Sequence, residues 1–359
     1  MLIVSIYMLS VLVLFFNQSD STELSYIQRS MLPFHIKRLI IGLSFFLIFS
    51  VIDYRRYVDT SFLFYIVGCV MLIAVFGYES LQGVSRWIRI PIVHLTYQPS
   101  EMMKWVLIIT LAAVIHRFHG QLSRSMTVML LVLIIIPVLM IMKQPDLGSA
   151  IIVAAIGLGI LIPFLEISKR LVGVFFAIVT LFGVMIAVPS DYTHAIKEKI
   201  IGSMFHDYQR QRFRLDTYHH KMAFEAMKNG GVWGINGVDS YAHSGRLPEP
   251  YTDSIIASYI ECFGLVGLFV LFGLYTSLFA VIRHTARQTK DLFGLNICHG
   301  VGIYLMVHCV VNISMMIGFF PITGVPLPLM SFGGSATISA FTCFGMLHSV
   351  YLKNRLKQH

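Results

Sequence analysis

Carboxylates and basic side chains stand at several boundaries between polar and apolar sequence, where helix capping and catalysis are both open interpretations. Asp253 follows "LPEPYT" and precedes a long apolar run, so it either caps a helix or acts there as a general base. Glu101 and Lys104 in "PSEMMK" lie three residues apart, on one face of a helix. They form either a local ion pair on a helix capped by Ser100 or a functional pair that lines a cavity.

Polar residues in three other stretches are candidates for binding an anion or for capping a helix. Arg86 in "GVSRWI" and Arg210 in "HDYQRQR" carry guanidinium groups, which pair well with phosphate oxygens. For Arg210, a solvated basic loop is the alternative. Asp146 in "KQPDLGSA" begins an apolar run, where capping is its expected role, and Gly148 allows a close helix approach.

The stretch "NISMMIGFFPITGVPLPLMSFGGS" interrupts an apolar run with prolines and glycines. Broken backbone at membrane depth is tolerated only beside protein or a water-filled cavity. A structural re-entrant turn is one interpretation. The other is an anion site in which Gly333, Gly334 and Ser335 present backbone N–H groups.

The composition is that of a polytopic membrane protein. Of the 359 residues, 56% are hydrophobic and only 13% are charged, whereas soluble domains are about a quarter charged. The net charge of +9 does not require a nucleic-acid partner, because Lys and Arg collect at the cytoplasmic ends of membrane spans. The five cysteines lie in or beside apolar runs without a C-x-x-C motif, so neither a disulfide nor a zinc site is predicted.

Continuous apolar runs predict an all-α protein with ten transmembrane helices, since about 17–25 apolar residues cross a bilayer. The chain is expected to form one membrane domain, 1–359, with one long extracytoplasmic loop, about 190–253, between helices 7 and 8. The predicted spans are 1–16, 36–53, 60–77, 99–115, 125–142, 147–164, 171–189, 254–282, 292–319 and 334–352.

The distribution of Lys and Arg in the short loops predicts that both termini are cytoplasmic. This orientation places four unusual polar stretches on the outer side: "GVSRWIRIPIVHLTYQPSE", "KQPDLGS", the 190–253 loop and "FFPITGVPLPLMSFGGS". The loops on the inner side are short, and neither side carries a nucleotide-binding motif, which argues against an ATP-driven pump.

Taken together, these stretches resemble the SEDS family (shape, elongation, division and sporulation). The resemblance is carried by blocks that follow the family order between residues 83 and 335, and "HDYQRQR" and "VPLPLMSFGGS" favour the elongation branch over the division branch. The blocks are "GVSRWI", "YQPSEMMK", "QPDLGSA", "HDYQRQR", "LPEPYTD" and "NISMMIGFFPITGVPLPLMSFGGS".

The resemblance implies a peptidoglycan glycosyltransferase that polymerises lipid II into glycan strands outside the bacterial cytoplasmic membrane, in cell elongation and rod-shape maintenance. It also implies a class B penicillin-binding protein as partner, beside lipid II and the growing strand. A divalent cation, Mg or Mn, is expected with the pyrophosphate, and no organic cofactor.

The resemblance assigns the catalytic Asp to Asp253 and the important Glu and Lys to Glu101 and Lys104. Two departures follow Asp253, where Ser254 replaces an aromatic residue and Cys262 replaces a second Glu. The predicted substrate-binding residues are Arg86, Gln98, Arg210, Ser331, Gly333, Gly334 and Ser335.

Three alternatives remain open at this point. One is a transporter that flips lipid II without chemistry, another is a polymerase of the division branch, and the third is a scaffold that only activates its partner. A flippase needs a polar path to the cytoplasmic face, whereas the inner halves of these spans are almost uncharged. The charge distribution therefore favours an enzyme with an outward-facing site.

Overall fold

The computed structural model is a bundle of long apolar helices with one short β-hairpin. The predicted span at 171–189 and Arg210 lie outside the residues that it describes. The described residues are 2–16, 22–77, 86–90, 95–165, 218–235, 240–242 and 244–356.

The helices follow the apolar runs closely. Nine of the ten predicted spans coincide with helices of the described residues, so the all-α polytopic fold is confirmed, while the count of ten stays a prediction. The elements are α1 (Leu2–Phe16), α2 (Thr22–Val51), α3 (Tyr57–Ala74), β1 (Ile88–Ile90), β2 (Leu95–Tyr97), α4 (Pro99–Arg117), α5 (Arg124–Lys143), α6 (Leu147–Leu161), α7 (Tyr218–Gly230), α8 (Ile255–Gln288), α9 (Leu292–Met316) and α10 (Gly334–Leu356).

Seven helices of the described part of the chain are long and apolar enough to cross a membrane. Helix α4 lies at the centre, and every residue from Pro99 to Ile115 is buried. It packs against α3, α6 and α9, while the outer helices expose large apolar side chains such as Val51 and Phe269. Apolar side chains on the outside of a bundle suit contact with lipid, so the chain is a multi-pass membrane protein.

Helix α8 is broken at Gly264, whose φ of 64° and ψ of −164° are not helical. The break frees backbone N–H groups inside an apolar helix, where an unsatisfied group is costly. Two of these groups find acceptors in the turn after α7, because Leu265 N donates to Gly231 O (3.1 Å) and Val266 N donates to Val232 O (3.2 Å). The turn after α7 thus completes the hydrogen bonding of α8.

The segment between α9 and α10 is not helical but is largely buried, as expected for a re-entrant stretch within protein. Asn312 Nδ2 donates to Val325 O at 2.8 Å, and a nitrogen of the His308 ring lies 2.9 Å from Pro326 O. Gly148 packs against the same segment, since a Cβ there would meet Thr323 O at 2.9 Å. A close approach at this glycine was predicted, but the neighbour is this non-helical segment rather than a second helix.

The opposite end of the bundle is joined by side-chain hydrogen bonds. Tyr54 Oη donates to Asp291 Oδ2 at 2.5 Å, and Asn354 Nδ2 donates to Thr289 Oγ1 at 2.8 Å. Ser349 Oγ accepts from Tyr54 N at 3.1 Å. These bonds tie α10 and the start of α9 to the turn between α2 and α3, and so stabilise the end remote from the unusual loops.

We expect Gly264→Ala to destabilise the protein by about 2 kcal/mol or more. The φ and ψ of Gly264 belong almost only to glycine, and a Cβ at this position would overlap the backbone of Val232 and Gly234. Thermal unfolding of the purified protein in detergent measures the effect.

Gly273→Ala is the matched control, because Gly273 lies in the same helix and a Cβ there meets nothing within 4 Å. Its unfolding temperature should stay within a few degrees of the wild type. Equal, small effects of the two substitutions would contradict the role assigned to the break in α8.

Candidate active site

Asp253 lies at the end of a tight turn rather than in the first position of a helix. Helix α8 takes Ser254 as its N-cap and begins at Ile255, so the capping interpretation of Asp253 is wrong. Within the turn, Glu249 has a φ of 47°, and its carbonyl accepts from Thr252 N at 3.3 Å and from Ser254 N at 3.1 Å. The chain therefore reverses before the helix starts, and Asp253 belongs to the reversal.

Three consecutive backbone carbonyls of this turn are held by groups from other elements. The donors come from α9 and from the segment before α10, which lie far from the turn in sequence. The bonds run from Phe332 N to Tyr251 O (2.7 Å), from Ser331 Oγ to Thr252 O (2.7 Å) and from Asn312 Nδ2 to Asp253 O (3.0 Å).

Ser331 has its hydroxyl group occupied within the protein. The hydroxyl oxygen accepts from Leu327 N at 2.8 Å, the O–H group donates to Thr252 O, and the residue is buried. The hydroxyl therefore holds the turn in place. A direct contact of Ser331 with substrate stays a prediction.

Glu101 and Lys104 form a buried ion pair in α4, as their spacing predicted. Lys104 Nζ donates to Glu101 Oε1 at 2.5 Å, and neither side chain is more than 4% exposed. Glu101 Oε2 is buried without a hydrogen-bond partner in the described part of the chain. This oxygen can therefore still accept a hydrogen bond from a further group.

Asp146 joins the start of α6 to the start of α4. One carboxylate oxygen caps α6 by accepting from Ser149 N at 3.2 Å, which confirms the capping prediction. The other oxygen accepts from Gln98 Nε2 at 2.7 Å and from Ser100 Oγ at 3.2 Å. Ser100 therefore does not cap α4, whose N-cap is Gln98, and the Gln98 amide is engaged within the protein.

Arg86 is directed at the loop that precedes Asp146. Its Nε donates to Gln144 O at 3.1 Å, and its Nη2 donates to Pro145 O. These bonds leave other N–H groups of the half-buried guanidinium for a further partner, since arginine carries five. These two carbonyls set the position of the Arg86 guanidinium, and its contact with an anion stays a prediction.

Arg38 is a cation at this end of the bundle that was not among the residues predicted from the sequence. Its guanidinium carbon lies 3.8 Å from the centre of the Phe332 ring, and its Nε would lie 3.4 Å from a Cβ on Gly334. Its Nη1 is buried and makes no hydrogen bond to any described residue. Phe332 N donates to Tyr251 O, so Arg38 stacks on a residue that is itself hydrogen-bonded to the turn.

The start of α10 brings the two glycines beside this cation. Ser335 Oγ accepts from Gln98 N at 2.9 Å, so the start of α10 is joined to the start of α4. Gly334 faces Arg38, and Gly333 lies directly before it in the chain. The structure thus brings Gln98, Gly334 and Ser335 together at the end of the bundle that also carries Asp253.

A polar stripe of α9 runs inward from the turn. Asn312 contacts the Asp253 carbonyl, and His308 and Tyr304 follow at intervals of one helical turn, all of them buried. The Nε2 atom of His308 has no hydrogen-bond partner among the described residues. This stripe was not predicted from the sequence, although polar residues four apart in an apolar helix indicate it.

The described residues do not form a protein cage for a metal ion. No group of three or more His, Cys, Asp or Glu side chains comes together in this part of the chain. Two acidic groups, Glu249 and Asp253, belong to one turn. They suit at most a cation whose other ligands are water molecules or phosphate oxygens of the substrate. The expected Mg or Mn ion therefore stays a prediction.

Comparison with known proteins finds relatives in sequence and in fold. Two curated relatives share about a third of their residues with this chain. "Peptidoglycan glycosyltransferase MrdB" of Escherichia coli (strain K12) is 34% identical over 336 residues, which cover 89% of this chain and 85% of the relative. The protein of that name in Helicobacter pylori (strain ATCC 700392 / 26695) is 32% identical over 324 residues, which cover 86% and 80%.

Two solved structures share the fold. A chain from a structure described as "Structural coordination of polymerization and crosslinking by a peptidoglycan synthase complex" gives a TM-score of 0.73 at 22% identity, with 98% of this chain and 96% of that chain covered. Thermus thermophilus rod shape determining protein RodA gives a TM-score of 0.68 at 19% identity, with 98% and 95% covered. The profile of the FtsW/RodA/SpoVE family, described as "Cell cycle protein", matches residues 1–356, and the chain belongs to this family.

Proposed function

We propose that this chain is a peptidoglycan glycosyltransferase that joins lipid II into glycan strands during cell elongation. The observation that carries the proposal is the fixed turn before α8, which places Asp253 at the end of the bundle where the half-buried Arg38 stacks on Phe332. The 34% identity to a protein named peptidoglycan glycosyltransferase MrdB supports the same reaction class.

Asp253 acts as the general base in this proposal. Its carboxylate takes the proton of the 4-hydroxyl group of the acceptor sugar, whose oxygen attacks the anomeric carbon of the donor sugar. A new C–O bond forms as the bond from the anomeric carbon to the lipid pyrophosphate breaks. The proton stays on Asp253 until water removes it, and the pyrophosphate leaves with the electron pair.

The leaving pyrophosphate needs cations, and Arg38 is the best placed among the described residues. Its planar guanidinium is held by the Phe332 ring, and its Nη1 has hydrogen-bonding capacity to spare. Backbone N–H groups at Gly333 and Gly334 add donors at the start of α10. Arg86 and Arg210 are further candidates from the sequence, and a divalent cation bound with the pyrophosphate would add charge.

Lys104 contributes from beneath the site rather than by direct contact. Its side chain is 0% exposed and its Nζ is bonded to Glu101, so an extended pyrophosphate does not reach it without a rearrangement. The pair instead acts on the buried polar stripe of α9 through its electrostatic field, and Glu101 Oε2 can still accept a hydrogen bond. We therefore place Glu101 and Lys104 among the groups that support catalysis.

The cellular setting belongs to the same proposal. The site faces the outside of the cytoplasmic membrane, both termini are cytoplasmic, and the substrate lipid reaches the site within the outer leaflet. A class B penicillin-binding protein is the proposed partner, which cross-links the strands. The fold neighbour described as part of a peptidoglycan synthase complex supports such an assembly.

Asp253→Asn should abolish polymer formation from lipid II, because the amide has the shape of the carboxylate but cannot accept the proton. Loss of a general base costs about 10²-fold to 10⁴-fold in rate. The measurement is glycan-strand synthesis by the purified protein with its partner, with the transpeptidase of the partner blocked.

Asp59→Asn is the control, since the Asp59 carboxylate is 88% exposed on a different part of the surface. It should polymerise lipid II at the wild-type rate. Wild-type activity in Asp253→Asn would contradict the assignment of the base, and lipid II flipping without polymer would favour a transporter.

Arg38→Ala should raise the KM for lipid II or lower kcat by about ten-fold to a hundred-fold, because it removes one charge-assisted hydrogen bond to an anion. Arg38→Lys should recover only part of the activity, because lysine lacks the planar group that stacks on Phe332. Lys37→Ala is the matched control, because Lys37 is the exposed neighbour in the same helix. Equal activities of the Arg38→Ala and Lys37→Ala variants would exclude Arg38 from the site.

Removing either member of the buried pair alone should destabilise the protein by about 3–5 kcal/mol, because it leaves an uncompensated buried charge. The double variant Glu101→Gln/Lys104→Met should recover much of this stability, as measured by thermal unfolding. It should not recover polymerisation if the pair supports catalysis. A double variant as active as the wild type would reduce the pair to a structural role.

A further inference from the structure

Glu261 is a buried carboxylate that the reaction proposed above does not use. It lies in the short part of α8 between the turn and the break at Gly264, and it is 0% exposed. Each of its two oxygens accepts one backbone N–H and one side-chain donor. The bonds to Oε1 come from Tyr241 N (2.6 Å) and Asn229 Nδ2 (3.1 Å), and those to Oε2 come from Ala242 N (3.1 Å) and Ser240 Oγ (2.9 Å).

All four donors belong to the extracytoplasmic segment that precedes the turn before α8. A buried carboxylate is costly unless hydrogen bonds replace its water, so the bonds between Glu261 and this segment depend on one another. The backbone of Glu261 takes part as well, because its carbonyl accepts from Ile235 N at 2.7 Å. One residue of α8 thus holds both the turn after α7 and the 240–242 stretch.

Close backbone packing reinforces the same junction. A Cβ on Gly230 would overlap Ile260 O, and a Cβ on Gly234 would overlap Cys262 O, so the segment lies directly on the backbone around Glu261. The carboxylate therefore acts where the two backbones are already in contact, and side chains larger than hydrogen are excluded at both glycines.

The other end of α7 contacts the residue that follows Asp253. His219 Nε2 lies 2.6 Å from Ser254 Oγ, and Ser254 Oγ donates to Pro248 O at 2.9 Å. Since a hydroxyl group has one hydrogen, the His219 ring donates to Ser254 in this arrangement. Helix α7 is thereby fixed at its first turn beside Asp253 and at its last turn on Glu261.

We propose that Glu261 is a positioning residue for the reaction, whose carboxylate holds α7 and the 240–242 stretch against the part of α8 that follows Asp253. Through α7 and His219 it holds the turn before α8 that carries Asp253. It touches neither sugar nor pyrophosphate. The role in turnover rests on the polymerase function proposed above, whereas the attachment of the segment does not.

Glu261→Gln tests the proposal with a side chain of the same shape. In either orientation of the amide, its NH₂ group faces one backbone N–H, of Tyr241 or Ala242, and one side-chain donor. At least one backbone N–H then loses its acceptor, because the Ser240 hydroxyl can rotate to accept but a backbone N–H cannot. We therefore expect hydrogen exchange in residues 218–235 to speed up by about ten-fold or more. Turnover per folded molecule should fall by a similar factor, with the KM for lipid II changing less than kcat.

Three further variants calibrate the result. Ser240→Ala and Asn229→Ala each remove one side-chain donor and keep both backbone bonds, so each should have a smaller effect than Glu261→Gln. Glu225→Gln is the matched control, because Glu225 is a half-buried carboxylate of α7 that does not bond to α8 in the described structure. It should leave exchange and turnover at wild-type values.

The outcomes separate this inference from the proposed function. If the wild type makes no polymer but Glu261→Gln still accelerates exchange in residues 218–235, the polymerase proposal fails and the attachment stands. If the wild type polymerises and Glu261→Gln matches it in exchange and turnover, the role of Glu261 is overturned. A variant that loses thermal stability while each folded molecule keeps wild-type turnover would overturn the positioning role, leaving a structural one.

Discussion

The structure depends most on the hydrogen bonding of one turn, in which three successive carbonyls, of residues 251–253, are each held by a different donor. The donors come from Asn312 of α9 and from the Ser331–Phe332 stretch before α10. Since none of these elements is adjacent to the turn in sequence, the turn takes its shape only when the bundle has closed. A carboxylate at its end, Asp253, is then presented by backbone that other elements hold, which is what a preorganised catalytic group needs.

The positions of the neighbouring polar groups depend on the same packing of the helices. The re-entrant stretch that supplies two of the donors also carries Phe332, on which Arg38 of α2 stacks. The start of α10 continues to Ser335, which bonds to Gln98 at the start of α4, and α4 carries the buried Glu101–Lys104 pair. Helices remote in sequence thus bring a carboxylate, a cation and backbone N–H groups to one end of the bundle, which are the groups that the proposed transfer of a sugar from a pyrophosphate requires.

Sequence patterns predicted the features that depend on near neighbours in the chain. Apolar run length predicted the helices, a three-residue spacing predicted the Glu101–Lys104 pair, and Asp146 was expected to cap α6. Features that arise from tertiary contacts were missed or misread. Arg38 was not predicted to be a site residue because Phe332, on which it stacks, lies almost 300 residues away in the chain. Asp253 was open to interpretation as a cap because its local sequence fits a helix start, and only the reversal at Glu249 moves the helix start past it.

The most direct measurement of the central claim is a high-resolution structure of the Asp253→Asn variant with two lipid II molecules bound. We expect the 4-hydroxyl group of the acceptor sugar to lie about 3 Å from the residue 253 side chain, with the donor pyrophosphate within reach of the Arg38 guanidinium. Sugars bound with residue 253 far from both the acceptor hydroxyl and the anomeric carbon, while the turn keeps its hydrogen bonds, would contradict the role of Asp253 as the base.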